Sequence, residues 1–317
     1  ELNNLSADES SEHSLTASGG MLCSTIRQDI ALSAEFEALL EQAAQRQQVV
    51  EKQSANIFLT GATGFLGARL LHELLQNTSA HIYCLVRADS EESGLERIGK
   101  ALAKHGLIID EPSRIRVVCG AIEALQFGLP EPIWLELAEQ VDTVYHCAAQ
   151  VNNLASYDDL RQANVVGTQE IVRLLCHGQS KCLHYISTLS VFVATDRNHG
   201  VLLESDHLDD TAIVYGGYAQ TKWAAEVFLR TLAGKAGPIT YHRLGLITGD
   251  SVTGKCADHD FLDLFVNGLA SLGCAPEVGD EISVDITPVD YAADAVIKLS
   301  LAAMASGRFD TYHIANS

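Results

Sequence analysis

A glycine triplet at three-residue intervals and a tyrosine four residues ahead of a lysine are the features of this sequence whose types and spacing could do chemistry. Gly61, Gly64 and Gly67, in TGATGFLG, stand between the apolar run IFLT and the amphipathic run ARLLHELL. At a strand-to-helix junction each glycine has a mechanical reason. Gly61 allows the tight turn, Gly64 lets the backbone approach a diphosphate, and Gly67 lets helix and strand pack closely. The helix that starts there turns its unpaired N–H groups and positive dipole end toward an anion. The spacing differs from Gly-x-Gly-x-x-Gly, and no Lys-Ser or Lys-Thr pair follows to make a Walker loop. A dinucleotide is therefore expected rather than ATP.

Where the second strand ends, a reader of the ribose 2′-hydroxyl would be Asp or Glu, and this chain has Arg87 in LVRADS. A guanidinium there suits a 2′-phosphate, which favours NADP over NAD. On the following helix Arg97, Lys100 and Lys104 share a face. That stripe has two readings: a solvated helix face, or a surface on which Arg97, nearest the helix start, also reaches the 2′-phosphate. Tyr218 and Lys222, in YAQTK, fall on one face of a helix at their spacing of four. The pair alone is weak evidence, since chance yields it in many chains of this length. Its place after a fifth strand ending in YISTLSV strengthens it.

The elements that must position these residues follow from hydrophobic periodicity. Short β-branched or apolar runs predict strands at 56–60, 81–86, 115–118, 142–146, 182–187 and 239–243, and amphipathic runs predict helices near 65–77, 91–105, 132–140, 157–178 and 217–233. Such alternation implies right-handed crossovers and a parallel sheet covered on both faces, a doubly wound α/β fold. Residues 1–20 are rich in Ser, Asn, Glu and Asp and read as a linker or tail, while 25–52 carries a helical pattern, in one helix or two. The expected organisation is a linker and helical extension over 1–54, a dinucleotide-binding domain over 55–250 and a partial substrate-binding region over 251–317. Irregular excursions are expected after the sixth strand, around TGDSVTGKC and between Pro276 and Pro288. No repeat of solenoid or propeller period is present.

A net charge of −20 repels phosphate backbones and anionic headgroups, which disfavours nucleic acid and membrane surfaces as partners. The eight cysteines, at 23, 84, 119, 147, 176, 182, 256 and 274, form no Cys-x-x-Cys pair and lie mostly in apolar runs. They read as buried thiols of a reducing compartment, so the cytoplasm is expected. His72, His81, His146, His184 and His313 lack metal-ligand spacing, so they are read as structural and no metal is expected. No Gly-x-Ser-x-Gly elbow supports a hydrolase. The first residue is Glu1, and the chain is expected to be a piece of a longer or processed one.

The order TGATGFLG, LVRA, HCAAQVN, NVVGT (Asn164 to Thr168), YISTLSVF, YAQTK and RLGLITGDSVTG resembles the extended short-chain dehydrogenase/reductases. Within them it is most similar to the thioester reductase domains that end nonribosomal peptide synthetases, polyketide synthases, carboxylic acid reductases and aminoadipate reductases. The match runs over roughly 55–317. The resemblance implies a Rossmann fold and NADPH, held by Gly61, Thr63, Gly64, Phe65, Leu66, Gly67, Arg87, Arg97, Ala148 and Ala149 together with Tyr218 and Lys222. It implies a catalytic set of Thr188, Tyr218 and Lys222, with Asn164 supporting the lysine through a water.

In that set Tyr218 is the general acid. Lys222 lowers the phenol's pKa and holds the nicotinamide ribose, and Thr188 gives a second hydrogen bond to the oxygen. Ser187 rivals Thr188, whose hydroxyl could instead serve only the backbone. The implied reaction is reduction of an acyl thioester on a phosphopantetheine arm to an aldehyde, with further reduction to an alcohol left open. No Asp-Ser-Leu attachment site occurs in 1–54, so the carrier protein is expected upstream in a longer chain or as a separate protein, with the basic Arg97–Arg116 region as one docking candidate.

Three departures stand out: Ala121 in CGAIE where an acidic residue near the adenine is common, Leu244 where relatives have Pro, and an end at YHIANS that predicts an incomplete substrate pocket. Two alternatives remain: a nucleotide-sugar epimerase or dehydratase, which would keep NAD, and a non-catalytic NADP-binding module.

Overall fold

The computed structural model describes residues 24–45, 53–193, 200–206, 208, 214–232, 234–258, 261–277 and 285–316. The expected tail at 1–20 and the end of the predicted helix, 46–52, lie outside them, as does much of the Pro276 to Pro288 stretch. Two helices open the described chain, α1 (Ser24–Ile30) and α2 (Ala34–Ala44). Ser33 caps the start of the second, accepting from the Phe36 N–H at 3.4 Å.

From Asn56 the strands and helices alternate: β1 (Asn56–Thr60), α3 (Phe65–Asn77), β2 (His81–Val86), α4 (Glu91–Lys104), β3 (Ile115–Cys119), α5 (Glu131–Gln140) and β4 (Thr143–His146). Next come α6 (Tyr157–Arg161), a π turn at Gln162–Val166, α7 (Gly167–Leu175), β5 (Cys182–Thr188), α8 (Gly217–Thr231) and β6 (Ile239–Leu244). The chain then forms β7 (Ile247–Thr248), α9 (Phe261–Leu272), β8 (Thr287–Pro288), α10 (Val289–Ser306) and β9 (Thr311–Ile314).

Seven strands build one parallel sheet in the order β3-β2-β1-β4-β5-β6-β9. Both faces are covered, as near-continuous apolar strands require. Phe58, Val144, Leu183 and Tyr185 face α2, α5, α7 and α8, whereas Ile57, Leu59, Tyr145 and Ile186 face α3, α4 and α10. Leu70, Leu71 and Leu74 of α3 are wholly buried, each contributing about 2 kcal/mol of apolar transfer. The winding reverses between β1 and β4, because β2 and β3 lie to one side and β5, β6 and β9 to the other. Loops diverge at such a switch point and leave a crevice at the carboxyl ends of the strands.

The structure departs from the periodicity in two places. The run expected as a single helix over 157–178 is α6, the π turn and α7. β9 joins the sheet beside β6, and α10 packs on α3, so these two elements of 251–317 belong to the sheet and its covering layer. The extension is joined to the sheet's helices: buried Asp29 on α1 accepts from Tyr157 Oη at 2.6 Å and from Arg161 at 2.6 and 2.7 Å. Among the described residues no helix is long and apolar enough to cross a membrane, and no three His, Cys, Asp or Glu side chains are grouped to hold a metal.

Candidate active site

The glycine turn sits at the switch point. Gly61 has φ +79°, a left-handed conformation that a side chain rarely adopts, and a Cβ there would lie 2.8 Å from the Ala148 nitrogen. A Cβ on Gly67 would run into the carbonyl oxygen of Gly61. The turn is closed by Gly64 N–H donating to that oxygen at 2.9 Å. Gly64 is the N-cap of α3 and has no side chain to cap it, and no acidic residue occupies the first turn. The N–H groups of Phe65, Leu66 and Gly67 therefore have no intrahelical acceptor and face the crevice with the helix's positive end. Thr63 is half-buried within the turn, and Ala148 and Ala149 follow β4 on the opposite wall. A cradle made of backbone that a Cβ would fill fits a diphosphate.

Arg87 is exposed where β2 ends, and Arg97 reaches back from α4 to donate to the Arg87 carbonyl. The basic stripe divides there. Lys100 pairs with Glu96 at 2.6 Å and Lys104 with Asp258, so those two charges are met within the chain. At Ala121, where an acid was expected, the loop closes on itself: Ala121 N–H donates to Phe127 O at 3.0 Å. Gln126 and Phe127 there have φ 51° and 59°, a costly conformation held by burial of the Phe127 ring and by Glu170 accepting from Gln126 N–H at 2.8 Å.

Across the crevice, α8 carries Tyr218 and Lys222. Lys222 is 3% exposed, and its ammonium donates to Ile186 O at 2.7 Å and lies 4.2 Å above the Tyr185 ring. Burial lowers its pKa from the ordinary 10.5 to about 8, with Cys147 and Glu226 opposing. Burial also pushes the Tyr218 phenol up to about 12, the Cys147 thiol adding to the rise. The expected depression of this phenol by Lys222 is absent, because removal from water dominates and the ammonium is turned to a carbonyl.

Thr188, at the end of β5, caps a short 3₁₀ turn at Leu189–Phe192: its Oγ1 accepts from Ser190 N–H at 3.1 Å and donates to Ser190 Oγ at 3.1 Å. Ser187 points elsewhere, donating to Glu226 Oε2 at 2.7 Å. Glu226 and Arg243 are both fully buried and paired at 2.6 Å. Burial would raise the Glu226 carboxyl, but the Arg243 hydrogen bond and charge prevail and hold it below its usual range.

A buried chain of hydrogen bonds joins the two walls. Ala148 N–H donates to Thr60 Oγ1 at 3.1 Å, Thr60 Oγ1 meets His146 Nδ1 at 2.8 Å, and His146 Nε2 meets Thr168 Oγ1 at 3.2 Å. Thr168 donates to Asn164 O at 2.7 Å, inside the π turn. That spends the Thr168 proton, so His146 must donate from Nε2 and accept at Nδ1 from Thr60. Burial lowers the imidazole to about 3, aided by the Lys222 charge, so the neutral tautomer persists. Asn164 Nδ2 donates to Thr221 Oγ1 and Gln150 O, both at 3.0 Å, and Oδ1 accepts from Gln150 N–H at 2.7 Å. Thr221 then donates to Tyr218 O at 2.8 Å. Asn164 thus reaches the Tyr218 turn through Thr221, with both Nδ2 protons and one Oδ1 lone pair engaged.

Sequence reasoning passed over Thr60, Thr168 and Thr221 and read His146 only as a structural histidine. Thr168 and Thr221 did stand inside the quoted NVVGT and YAQTK motifs.

A model of the family described as Male sterility protein matches residues 59–296. The chain is 38% identical over 283 residues to a linear gramicidin synthase polypeptide of Brevibacillus parabrevis, in an alignment covering 87% of this chain and 6% of that protein. It is 33% identical over 287 residues to L-2-aminoadipate reductase of Saccharomyces cerevisiae, over 84% of this chain and 20% of that one. The chain thus spans a small part of these relatives. Among solved structures, the terminal R domain of the myxalamid PKS-NRPS biosynthetic pathway matches with a TM-score of 0.83 at 38% identity, covering 92% of this chain and 72% of that one. The chain belongs to the Male sterility protein family of nicotinamide-cofactor-binding extended short-chain dehydrogenase/reductases, as a reductase domain of the nonribosomal peptide synthetase kind.

Proposed function

We propose that this chain carries out NADPH-dependent reductive release of an acyl or peptidyl thioester from a phosphopantetheinyl carrier protein, giving an aldehyde. The observation that carries the reading is the meeting, at one crevice, of a backbone diphosphate cradle at Gly61–Gly67 with the Tyr218 and Lys222 pair, joined through His146 and Asn164. Arg87 and Arg97, brought together at the end of β2, suit a 2′-phosphate and favour NADPH over NADH. Bound along the cradle, the reduced nicotinamide supplies a hydride to the thioester carbonyl carbon.

Tyr218 gives its proton to the oxygen that becomes negative. A phenol near 12 stays protonated at neutral pH and is still acidic enough to protonate an alkoxide. Lys222 holds the ribose hydroxyls and contributes positive charge beneath them, and Thr188 belongs to the group that binds the oxygen. When the tetrahedral adduct collapses, the carbonyl re-forms, the carbon–sulfur bond breaks and the thiol leaves with a proton. Solvent replaces the one consumed.

Exposed Val252, Phe261, Leu264 and Phe265 on the segment after the sixth and seventh strands offer apolar surface suited to an acyl chain. Buried thiols at Cys84, Cys176 and Cys182 suit a reducing compartment, the cytoplasm. NADPH oxidation with a panel of pantetheine thioesters, comparing wild type and Tyr218→Phe in the full-length polypeptide, tests the reading. Thioester-dependent oxidation lost in Tyr218→Phe supports it, and none in wild type overturns it.

A further inference from the structure

We infer that Asp29, on the N-terminal helix α1, is a positioning residue for Tyr218: it fixes the short helix α6, and the first turn of α8 is seated on the backbone that leads into α6. This rests on the thioester reductase reading above and deepens it. Asp29 lies ahead of residues 59–296, the stretch that the family model matches. α1 puts Ile26, Asp29 and Ile30 on one side, at spacings of three and four. Ile26 joins Tyr157 of α6, Val165 of the π turn and Ala219, Trp223 and Ala224 of α8 in one buried cluster. Apolar burial of this kind has no direction and would let α1 settle in more than one register.

Asp29 supplies the direction. Arg161 donates to both of its oxygens, Nε to Oδ2 at 2.7 Å and Nη2 to Oδ1 at 2.6 Å, and Tyr157 Oη donates to Oδ2 at 2.6 Å. A bidentate pair fixes orientation as well as distance. Burial, and then Asp29, raises the Tyr157 phenol well above its usual range, so it remains a donor. The Asp29 carbonyl accepts from Gln169 Nε2 at 3.4 Å, so α1 grips both helices that flank the π turn. The held stretch then meets the catalytic helix twice. Gly216 turns the chain into α8 with φ +90°, and a Cβ on Gly217, the residue before Tyr218, would lie 2.3 Å from Ala155 O, 2.4 Å from Ser156 C and 2.7 Å from Tyr157 N. Backbone packed on backbone leaves no soft side chain to absorb a shift. Beyond Arg161, Asn164 of the π turn donates to Thr221, which donates to Tyr218 O. A shift of α6 therefore moves the Tyr218 turn, and a displaced proton donor costs rate, while the cofactor cradle at Gly61–Gly67 belongs to other elements.

The test compares wild type, Asp29→Asn, Tyr157→Phe and Tyr218→Phe in the full-length polypeptide, with the doubles that join Asp29→Asn to each of the other two. Turnover of a pantetheine thioester is expressed per NADPH-binding site, counted by fluorescence titration, so that protein lost to unfolding drops out. Asp29→Asn is expected to lower kcat per site by about 10- to 100-fold, with KM and NADPH affinity unchanged. Tyr157→Phe, which keeps the ring and removes one hydrogen bond, should lower it less. Joined to Tyr157→Phe, Asp29→Asn should fall no further than it does alone. In the Tyr218→Phe background it should change the slow residual rate by no more than about twofold, since the group it positions is gone.

Wild-type kcat per site in Asp29→Asn, beside a Tyr218→Phe that has lost turnover, would overturn this inference alone, because Asp29 would then serve stability only. An equal loss with and without the Tyr218 hydroxyl would also overturn it, as the path would not run through that group. If Asp29→Asn binds no NADPH, Tyr157→Phe decides, and an unchanged kcat per site there overturns the inference. Full activity in Tyr218→Phe, or no thioester-dependent oxidation in wild type, would instead take down the underlying reading.

Discussion

Lys222 should make the cofactor-free protein less stable than it would be without the charge. The residue is 3% exposed, and burial brings its pKa from 10.5 to about 8. At about 1.4 kcal/mol per tenfold change, keeping the proton in the folded state at pH 7 costs about 3 kcal/mol. Replacing Lys222 by Met removes that cost and also the hydrogen bond to Ile186 O, worth about 1 kcal/mol, leaving a net gain of about 2 kcal/mol.

The pH dependence follows from which state holds the proton. Below pH 8 both folded and unfolded chains are protonated and the whole cost is present. Between pH 8 and 10.5 the unfolded chain keeps a proton that the folded one has lost, so wild-type unfolding free energy rises relative to the variant by about 1.4 kcal/mol per unit. Above that window both states are neutral and the penalty is gone. Urea unfolding of wild type and Lys222→Met, without cofactor, from pH 6 to 11 reads this directly. A variant less stable than wild type at pH 7, or a difference that does not change with pH, would refute the reasoning. The same substitution should abolish thioester reduction.

Other substitutions probe the cradle and the chain behind it. Gly67→Ala forces a methyl group into the Gly61 carbonyl and should weaken NADPH binding by about 100-fold or more in a fluorescence titration, the turn and helix start being displaced together. Arg87→Ala should weaken NADPH by about 10- to 100-fold, the worth of a charge-assisted bond to phosphate, while leaving NADH affinity nearly unchanged. In His146→Phe the Thr60 proton and the Thr168 oxygen lose their partners, so stability should fall by about 2 to 4 kcal/mol in urea. Asp29→Asn, which leaves Arg161 and Tyr157 without their charged acceptor, should destabilise by about 3 kcal/mol, measured the same way.

Much of this molecule was readable from the order of its residues. The glycine turn, the six strands from 56 to 243 and the Tyr218–Lys222 pair are local features: they depend on apolar period, turn chemistry and side-chain spacing within one element. The place of Arg87, directly after the second strand, was legible in the same way.

What the sequence left open was decided by contacts between residues far apart in the chain. β9 is four residues long and exists because β6 offers its free edge. Where the Ser187 and Thr188 protons go depended on Glu226, thirty-nine positions from Ser187, and on a turn whose direction no propensity states. The tautomer of His146 was settled by Thr60 and Thr168 on either side, and the rise of the Tyr218 phenol by burial. Periodicity tells which face of an element is apolar; the direction of each proton and the cost of each charge depend on which groups the fold brings within 3 Å and how much water it removes.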